Sequence, residues 1–397
     1  MHYIRLLRPP TVENSGPRKT LRIVLTITTD LGDSFLSVNE PIALTVLATN
    51  TAKSEGLQSL VPIYLTGKDN PTWRAGQRVL KLDLPLPASA ITTIQIRPAA
   101  KELAAFSTDA IFAGNQGLIV PVYADLPRPN EELRHVSFRN IRIGSRVASF
   151  EDMVQVEEEI GESIARHVWD AGMVTVSMFS YLCLRNRATD KLRDLLAILE
   201  TRHPVSILEL GCGVGVLGIG IAHVMRCMPG SGPTHVLMTD LPEAEERAQA
   251  NIARFRAQAH DDGNQNVELQ YENLDWEEGK DGHFGPLVTA KPWDLIVLSD
   301  CTYNVDMLPT LVRTVTALHK ASMAHAVAHD EGVKGLYKSP SILLAMKPRH
   351  ESESALWSLM KDAGWSIAEK TTLKLPSLDE EMQQVIIVLF QHSSTYH

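Results

Sequence analysis

The sequence predicts an α/β protein in which a mostly parallel sheet, with helices on both faces, follows a smaller all-β part. In the first third, short runs rich in β-branched residues alternate with turn residues, a pattern typical of a sandwich or barrel. From about residue 205 onward, apolar strand-like runs alternate with helix-like segments, which is typical of a parallel sheet. The length of 397 residues suits two domains better than one.

Six runs in the first part are predicted as strands, and Leu21–Thr29 is the clearest because apolar and polar residues alternate along it. The others are Ile42–Ala48, Leu60–Leu65, Val79–Leu84, Ile91–Ile96 and Gly117–Tyr123. These runs contain no catalytic constellation. We therefore expect residues 1–135 to form a sandwich- or barrel-like domain that recognises a substrate or stabilises the rest of the fold.

A second domain is predicted over residues 136–397, after a proline- and charge-rich linker at Leu126–Arg134. Glu157–Cys183 is predicted as helical, and Ala321–Lys338 as a polar insertion. Strands and helices then alternate along Val205–Leu210, Leu217–Cys227, Thr234–Thr239, Glu243–Ala259, Val267–Tyr271, Asp294–Leu298, Met307–Lys320, Ser341–Met346 and Ser352–Ala363. Ligands of such sheets bind at the carboxyl ends of the strands, so we expect the chemistry just after each strand.

Composition excludes several classes of protein. Hydrophobic residues make up 44% and charged residues 21%, as in ordinary soluble domains. The sequence contains no apolar run of about 18 residues, so no membrane span is expected. The amino-terminal segment does not resemble a secretory signal, and the four cysteines form no CxxC pair. We therefore expect a cytoplasmic protein, or one that is also nuclear, in a reducing setting.

Charge is unevenly distributed along the chain. The net charge is -9, but residues 1–145 carry 16 Lys and Arg against 12 Asp and Glu, which gives +4. The remaining residues carry 22 against 35, which gives -13. Because an acidic surface repels phosphates, no nucleic-acid partner is expected. A basic protein surface that bears lysines suits this charge better, although acidity that only provides solubility is an alternative.

The strongest motif is the segment Ile207–Gly215, an apolar strand followed by glycines at alternate positions. Gly211 and Gly213 allow a sharp turn and a close approach of backbone to a ligand. Glu209, one residue inside the strand end, is predicted to hold a cation. S-adenosylmethionine (SAM) carries a cationic amino group and a sulfonium, so the motif favours this cofactor.

Two other interpretations of this motif remain open. Gly213 to Gly218 formally satisfies GxGxxG, the dinucleotide-binding pattern, although that pattern alone is weak evidence. A pyrophosphate requires free backbone N–H groups with no carboxylate nearby, and Glu209 argues against it. A purely structural glycine-rich turn is the second alternative.

Three polar or aromatic residues follow the next two strands. Asp240 ends the second strand, where one carboxylate accepts hydrogen bonds from both hydroxyls of an adenosine ribose. Its alternative role is to cap the helix that begins near Pro242. Asp275 and Trp276 follow the third strand and are predicted to accept the adenine N–H and to stack on the base, respectively. A Trp276 ring that only covers the core is the alternative.

The fourth strand is followed by Ser299, Asp300 and Tyr303. Ser299 is assigned to the cofactor side. Asp300 is predicted to attract and orient an amine at the place where the methyl is transferred. Tyr303 is predicted to form a hydrogen bond with that nitrogen or to line the channel through which the amine enters. Capping of the following helix is the alternative for this pair.

Other reactive residues give no site. Cys301 has no histidine partner in the sequence that suggests a thiol nucleophile. His325 and His329 are four residues apart but lack the glutamate of a zinc motif. No metal site is therefore predicted.

Taken together, these motifs show that the region from about Ile141 to Phe390 resembles the seven-β-strand methyltransferases of the lysine-methyltransferase-like family. The matching segments are His167–Gly172, Glu209–Gly215, Thr239–Leu241, Asn273–Trp276, Asp300–Tyr303 (the DxxY signature of the family), Leu343–Arg349, Trp357, Gly364–Trp365 and Val385–Phe390. The resemblance implies a Rossmann-like sheet of seven strands, with Trp169 beside the cofactor. Glu209, Gly211 and Gly213 would line the cofactor.

The motifs together favour transfer of a methyl group from SAM to a nitrogen, with a lysine side chain of a protein as the expected acceptor. Asp300 and Tyr303 would shape the acceptor site. A small-molecule N-methyltransferase and a non-catalytic binding module with a SAM-type fold are the alternatives. The β-rich first part and the insertion depart from compact members of the family and bear on the substrate more than on the reaction.

Overall fold

The architecture is taken from a computed structural model of the chain, which describes most of its residues. The described residues are 1–15, 18–49, 63–66, 70–87, 91–114, 117–127, 133–144, 153–161, 166–185, 192–200, 203–228, 232–262, 266–328, 339–376, 378 and 383–393. Two β-sheets in the first part precede a larger α/β part.

Two antiparallel-rich sheets form the β-rich part. Its strands are β1 (His2–Leu6), β2 (Thr11–Ser15), β3 (Arg18–Thr28), β4 (Ile42–Thr49), β5 (Ile63–Tyr64), β6 (Thr72–Trp73), β7 (Leu80–Leu86), β8 (Thr93–Pro98), β9 (Ile119–Val120), β10 (Val122–Asp125), β11 (Val136–Arg142) and β12 (Met153–Glu159). One sheet has the order β2-β3-β1-β9 with β7 on β3, and the other has the order β12-β11-β10-β8-β4-β5 with β6 on β4. Apolar residues of both sheets, such as Leu25, Leu44 and Trp73, form a common core. The predicted β-rich first part is confirmed.

The second sheet continues past residue 135, because β11 pairs antiparallel with both β10 and β12. The predicted domain boundary therefore falls inside this sheet. Half of the predicted run Leu60–Leu65 lies outside the described residues, as does part of the predicted linker. The helix predicted from Glu157 is wrong over its first residues, which belong to β12. The buried Arg247 pairs with the Glu157 carboxylate at 3.0 Å and stabilises this residue in an extended strand.

The α/β part is built on a seven-stranded sheet with the order β15-β14-β13-β16-β17-β19-β18. Its strands are β13 (Val205–Leu210), β14 (Thr234–Asp240), β15 (Val267–Asn273), β16 (Leu295–Ser299), β17 (Ser341–Met346), β18 (Trp365–Lys374) and β19 (Gln384–His392). The five strands β13 to β17 run parallel, and β19 pairs antiparallel with β17 and β18. The predicted Rossmann-like, mostly parallel sheet is confirmed.

Nine helices are described along the chain. They are α1 (Thr108–Ala113), α2 (Asp170–Leu184), α3 (Arg193–Leu199), α4 (Val216–Cys227), α5 (Pro242–Asp262), α6 (Trp276–Gly279), α7 (Pro286–Thr289), α8 (Leu308–Ala328) and α9 (Ala355–Asp362). Helix α8 continues through the first eight residues of the predicted insertion, and residues 329–338 lie outside the described part. Among the described helices, none is both long and apolar enough to cross a membrane.

One apolar core is shared by the two parts. Met1, Tyr3 and Val120 of the β-rich part are buried in the same cluster as residues of α2, α4 and the parallel sheet. Asn251 of α5 adds polar contacts, because its amide donates to the carbonyl oxygens of Glu157 in β12 (3.0 Å) and Val214 in the glycine-rich loop (2.9 Å). The β-rich part therefore directly supports the loop that follows β13.

Candidate functional site

An open cavity with an empty volume of about 1010 Å³ lies at the carboxyl ends of the parallel strands. It is lined by His167, Trp169, Gly211, Cys212, Gly213, Val214, Val216, Asp240, Leu241, Leu274, Asp275, Trp276, Ser299, Asp300, Cys301, Tyr303, Asn304 and Met307. Nine of the ten residues assigned to the site from the sequence are in this wall, and Glu209 is the tenth.

The glycine-rich loop joins β13 to α4, and Gly211 lies where it turns. Its φ of +68° belongs to the left-handed region, which favours glycine. A Cβ at this position would lie 2.6 Å from the Cys301 sulfur and 3.3 Å from the Trp276 ring. Only a glycine therefore lets the loop pack this closely against both side chains.

The Glu209 carboxyl lies beneath the loop instead of in the cavity wall. Its Oε2 accepts a hydrogen bond from the backbone N–H of Gly218 at 3.0 Å, in the first turns of α4. Burial raises the pKa of Glu209 well above its ordinary value, and the Gly218 hydrogen bond opposes this shift. In this geometry Glu209 fixes the loop to the helix, and it is not among the residues that line the cavity.

Asp240 lies at the end of β14 and faces the cavity. Its Oδ2 accepts a hydrogen bond from Gly213 N at 2.6 Å, and its Oδ1 accepts one from Leu241 N at 2.7 Å. Each carboxylate oxygen has a second lone pair, so both oxygens retain acceptor capacity for two hydroxyl groups. Burial raises the pKa of Asp240, although the two backbone hydrogen bonds lower it.

Leu274, Asp275 and Trp276 line the cavity next to Asp240, whose carbonyl oxygen accepts a hydrogen bond from Leu274 N at 2.9 Å. The Asp275 Oδ1 accepts a hydrogen bond from Glu277 N at 2.8 Å and so caps the short helix α6. The Trp276 ring packs against Gly211 and against a buried apolar cluster that includes Leu210, Leu298 and Leu311. The core-covering role of Trp276, left open from the sequence, is therefore present, and the cap formed by Asp275 is a role that was not predicted from the sequence.

Asp300 begins the loop after β16 and has a φ of +53°, a strained conformation for a residue with a side chain. Its Oδ2 accepts a hydrogen bond from Ala171 N at 2.7 Å, and its Oδ1 lies 3.6 Å from the Arg349 guanidinium. Burial and the neighbouring Asp30 carboxylate raise the pKa of Asp300 to about 7, although Arg349 lowers it. Its ionisation therefore changes near neutral pH.

Two aromatic rings form the mouth of the cavity beside Asp300. The rings of Trp169 and Tyr303 are stacked, with centroids 5.8 Å apart and planes at 17°. Tyr303 is 51% exposed, so this wall is open to solvent. The Ser299 hydroxyl lies below them, 3.4 Å from where a Cβ on Gly172 would be.

Sequence reasoning missed a buried ionic network behind this wall. The Lys347 Nζ donates to Asp30 Oδ1 (3.0 Å) and Asp170 Oδ2 (2.9 Å). Arg349 donates to both Asp30 oxygens, at 2.6 and 3.3 Å. Asp30 lies in the β-rich part, far from every motif in the sequence, so no pattern pointed to it. Lys347 and Arg349 follow β17, and their place after a parallel strand is a signal that could have been used.

Metal and thiol chemistry find no support among the described residues. They contain no cluster of three or more His, Cys, Asp or Glu side chains arranged to hold a metal ion. Burial raises the pKa of the Cys301 thiol well above its ordinary value, with nearby carboxylates adding to the shift. A thiol with a raised pKa is a poor nucleophile.

The donor set fits SAM better than a dinucleotide. Asp240 offers two acceptor oxygens to a ribose, and Trp276 offers an aromatic surface to a base. Gly213 N is already bound to the Asp240 carboxylate, so a pyrophosphate would meet negative charge at the loop that binds it in dinucleotide proteins. SAM supplies an activated methyl on a cationic sulfur when bound.

Comparisons with known proteins agree with this geometry. A model of the family described as "Lysine methyltransferase" matches residues 149–363, more than half of the chain. A UPF0665 family protein of Schizosaccharomyces pombe is 26% identical over 365 residues, which cover 92% of this chain and 93% of that protein.

Two solved structures are among those to which the chain is similar over part of its length. A SAM-dependent methyltransferase of Methanosarcina mazei shows 13% identity and a TM-score of 0.32, over 49% of this chain and 94% of its own. The rRNA methyltransferase aviRa of Streptomyces viridochromogenes shows 12% identity and a TM-score of 0.32, over 54% and 84%. By its family match and its seven-stranded sheet, the chain belongs to the lysine methyltransferase family and is a SAM-dependent methyltransferase.

Proposed function

We propose that this enzyme transfers the methyl group of SAM to the side-chain nitrogen of a lysine in a protein. The observation that carries the proposal is the mouth of the cavity, where the Asp300 carboxyl lies beside the stacked rings of Trp169 and Tyr303. A carboxylate attracts an ammonium, and aromatic faces favour a cationic or alkylated amine. The half-exposed Tyr303 leaves room for a side chain that enters from a larger surface.

The reaction requires a neutral nitrogen, which forms a bond to the methyl carbon as the carbon–sulfur bond breaks. The pKa of a lysine in water is about 10.4, so the ammonium must lose a proton before it attacks. Proximity to the cationic sulfonium and burial both favour that loss. Asp300 favours the ammonium, so its role is to bring and orient the nitrogen, and alignment supplies up to roughly 7–11 kcal/mol in well-ordered systems.

Charge supports a protein acceptor. The residues after 145 carry a net charge of -13, which attracts a basic surface and disfavours a nucleic acid. The proposed partner is therefore a protein with lysine-rich surface, and no nucleic-acid partner is proposed.

The test is incubation of the purified protein with SAM labelled on its methyl group and a dialysed cell extract. We expect label in a protein band and methyl-lysine after its hydrolysis, and no label with the variant Asp300→Ala. Label confined to molecules below the dialysis cutoff, tested with undialysed extract, would indicate a small-molecule N-methyltransferase. SAM binding with no transfer in either extract would contradict the proposal and favour a non-catalytic module.

A further inference from the structure

Arg349 connects three groups at the acceptor side of the cavity. Its guanidinium carbon lies 4.9 Å from the centroid of the Trp169 ring, in a cation–π contact. The Arg349 Nη2 atom lies 3.6 Å from Asp300 Oδ1 and 2.6 Å from Asp30 Oδ2. The position of this one side chain therefore affects both Asp300, the residue expected to orient the acceptor nitrogen, and Trp169, which was predicted beside the cofactor and whose ring forms the mouth of the cavity.

Asp30 is held firmly enough to fix that guanidinium. Its side chain is fully buried, and it binds Arg349 through both oxygens. Asp30 also accepts hydrogen bonds from Lys347 Nζ at 3.0 Å and from Asp170 N at 3.2 Å, and its own carbonyl accepts one from Arg5 at 2.8 Å. A bidentate carboxylate restricts a guanidinium in both distance and plane.

We propose that Asp30 of the β-rich part and Arg349 after β17 form a positioning pair for the acceptor site. Asp30 fixes the guanidinium, and the guanidinium orients the Asp300 carboxyl and the Trp169 ring toward the incoming amine. This inference rests on the proposed function only for the identity of that amine. It gives the β-rich part a role in the reaction although no residue of that part lines the cavity among the described residues.

The charges around Asp300 determine what each variant does. The groups that face it are Asp30 from the loop after β3, Asp170 from α2, Lys347 and Arg349 after β17, and Cys301 and Tyr303 of its own loop. Loss of the Asp30 charge makes ionisation of Asp300 easier and lowers its pKa. Loss of the Arg349 charge makes ionisation harder and raises its pKa. The two variants therefore shift the pKa of Asp300 in opposite directions.

The first measurement compares Asp30→Asn, Arg349→Gln and the double variant with wild type at saturating SAM. We expect each single variant to lower label transfer into extract protein, up to about 100-fold, as for other small misplacements of a reacting group. The double variant should lose no more than the worse single variant, because both act through one pair. SAM affinity by calorimetry should stay within a factor of about two. Asp33→Asn removes the same charge from the exposed end of the same loop and is the matched control.

The second measurement is the rate of each variant divided by that of wild type, at pH 6 and pH 9. Deprotonation of the acceptor lysine affects numerator and denominator equally and cancels. For Asp30→Asn the ratio should be larger at pH 6, since Asp300 is then ionised at lower pH. For Arg349→Gln it should be larger at pH 9. A purely structural role predicts a ratio that does not change with pH.

A third measurement does not depend on the acceptor. Carboxyl ¹³C NMR of protein labelled at aspartate, with Asp300→Asn to assign the signal, reports the ionisation of Asp300 directly. The midpoint should fall in Asp30→Asn and rise in Arg349→Gln, even if wild type transfers no label and the proposed function fails. The positioning pair is wrong if the two single variants do not shift the titration midpoint of Asp300, and the ratio of variant to wild-type rate, in opposite directions. It is also wrong if the losses of rate in the two single variants add in the double variant. If Arg349→Gln does not fold, Arg349→Lys replaces it in the rate comparison. This substitution keeps the positive charge but cannot form the bidentate hydrogen bonds to Asp30.

Discussion

Two carboxyls, the partly buried Asp240 at the end of β14 and the buried Asp300 after β16, lie on either side of β13 and have different partners. Asp240 accepts hydrogen bonds from two backbone N–H groups and keeps acceptor capacity toward the cavity. Asp300 lies near a guanidinium, and its pKa of about 7 makes its charge sensitive to its neighbours. The same residue type therefore suits a neutral diol in one place and an amine in the other.

The ribose contact is tested by Asp240→Ala. We expect SAM affinity to fall by about 1.5–3 kcal/mol, the size of a lost hydrogen bond to a charged group. The variant Asp240→Asn keeps the side-chain volume and one acceptor oxygen, so it should lose less. Calorimetry of wild type against SAM and NAD serves as the control. Binding of NAD without binding of SAM would overturn the cofactor assignment.

The acceptor side is tested at Tyr303 with two substitutions. Tyr303→Phe keeps the ring that stacks on Trp169 and removes only the hydroxyl, whereas Tyr303→Ala removes both. We expect both to lose label transfer, the second more, while SAM affinity measured by calorimetry stays close to that of wild type. A parallel loss of SAM affinity in both variants would assign Tyr303 to the cofactor instead.

At the scale of elements, the join between β13 and α4 depends on Gly218. A Cβ at this position would lie 2.4 Å from Glu209 Oε2 and 2.7 Å from the Met238 side chain. We expect Gly218→Ala to destabilise the fold by about 1–3 kcal/mol, as other overpacked sites do. Gly161→Ala is the matched control, because a Cβ there meets no atom within 4 Å. Equal urea midpoints for the two variants would contradict this account.

The parallel sheet could be predicted from the sequence because its strands are short apolar runs bounded by turn residues. Val205–Leu210 was predicted with the bounds that the structure has. Strand β12 could not be predicted, since the run of glutamates at its end is compatible with a helix when the chain is considered alone. Its strand conformation depends on distant partners, such as Arg247 and Asn251 in α5. Tertiary pairing of this kind leaves no local pattern.

The cavity wall could be predicted for a similar reason. Side chains just after parallel strands converge at one edge, so Asp240, Asp300 and Tyr303 were found from their positions. Glu209 has the expected residue type, but its orientation depends on α4, which is invisible in the motif. Asp30 was missed because its partner Arg349 lies 319 residues away along the chain.

At the scale of the whole molecule, the two parts share a core and a polar interface. Tyr3 of β1 is buried and donates a hydrogen bond to Asp170 Oδ1 at 2.8 Å. Arg247 of α5 and Glu157 of β12 form a buried ion pair across this interface, at 3.0 Å. Removal of one partner of such a pair typically costs 3–5 kcal/mol. We therefore expect the β-rich part to be required for the stability of the catalytic fold.

A truncated chain that begins at residue 136 tests this requirement. We expect it to be insoluble or to lack a cooperative thermal transition, because β11 loses its neighbour β10 and the shared core loses Tyr3. The full chain should unfold in one transition by calorimetry. A soluble fragment with the SAM affinity of the full chain would show that the two parts are independent.

The pair of Asp30 and Arg349 also has a consequence for folding of the chain during its synthesis on the ribosome. At roughly 5–20 residues per second, synthesis places the second residue of the pair tens of seconds after the first. During that interval the Asp30 carboxylate lacks its partners Lys347 and Arg349, and the apolar surface around Tyr3 is not yet covered by α2 and the parallel sheet. We therefore expect the nascent chain to expose apolar surface that chaperones can bind until the residues that follow β17 have been synthesised.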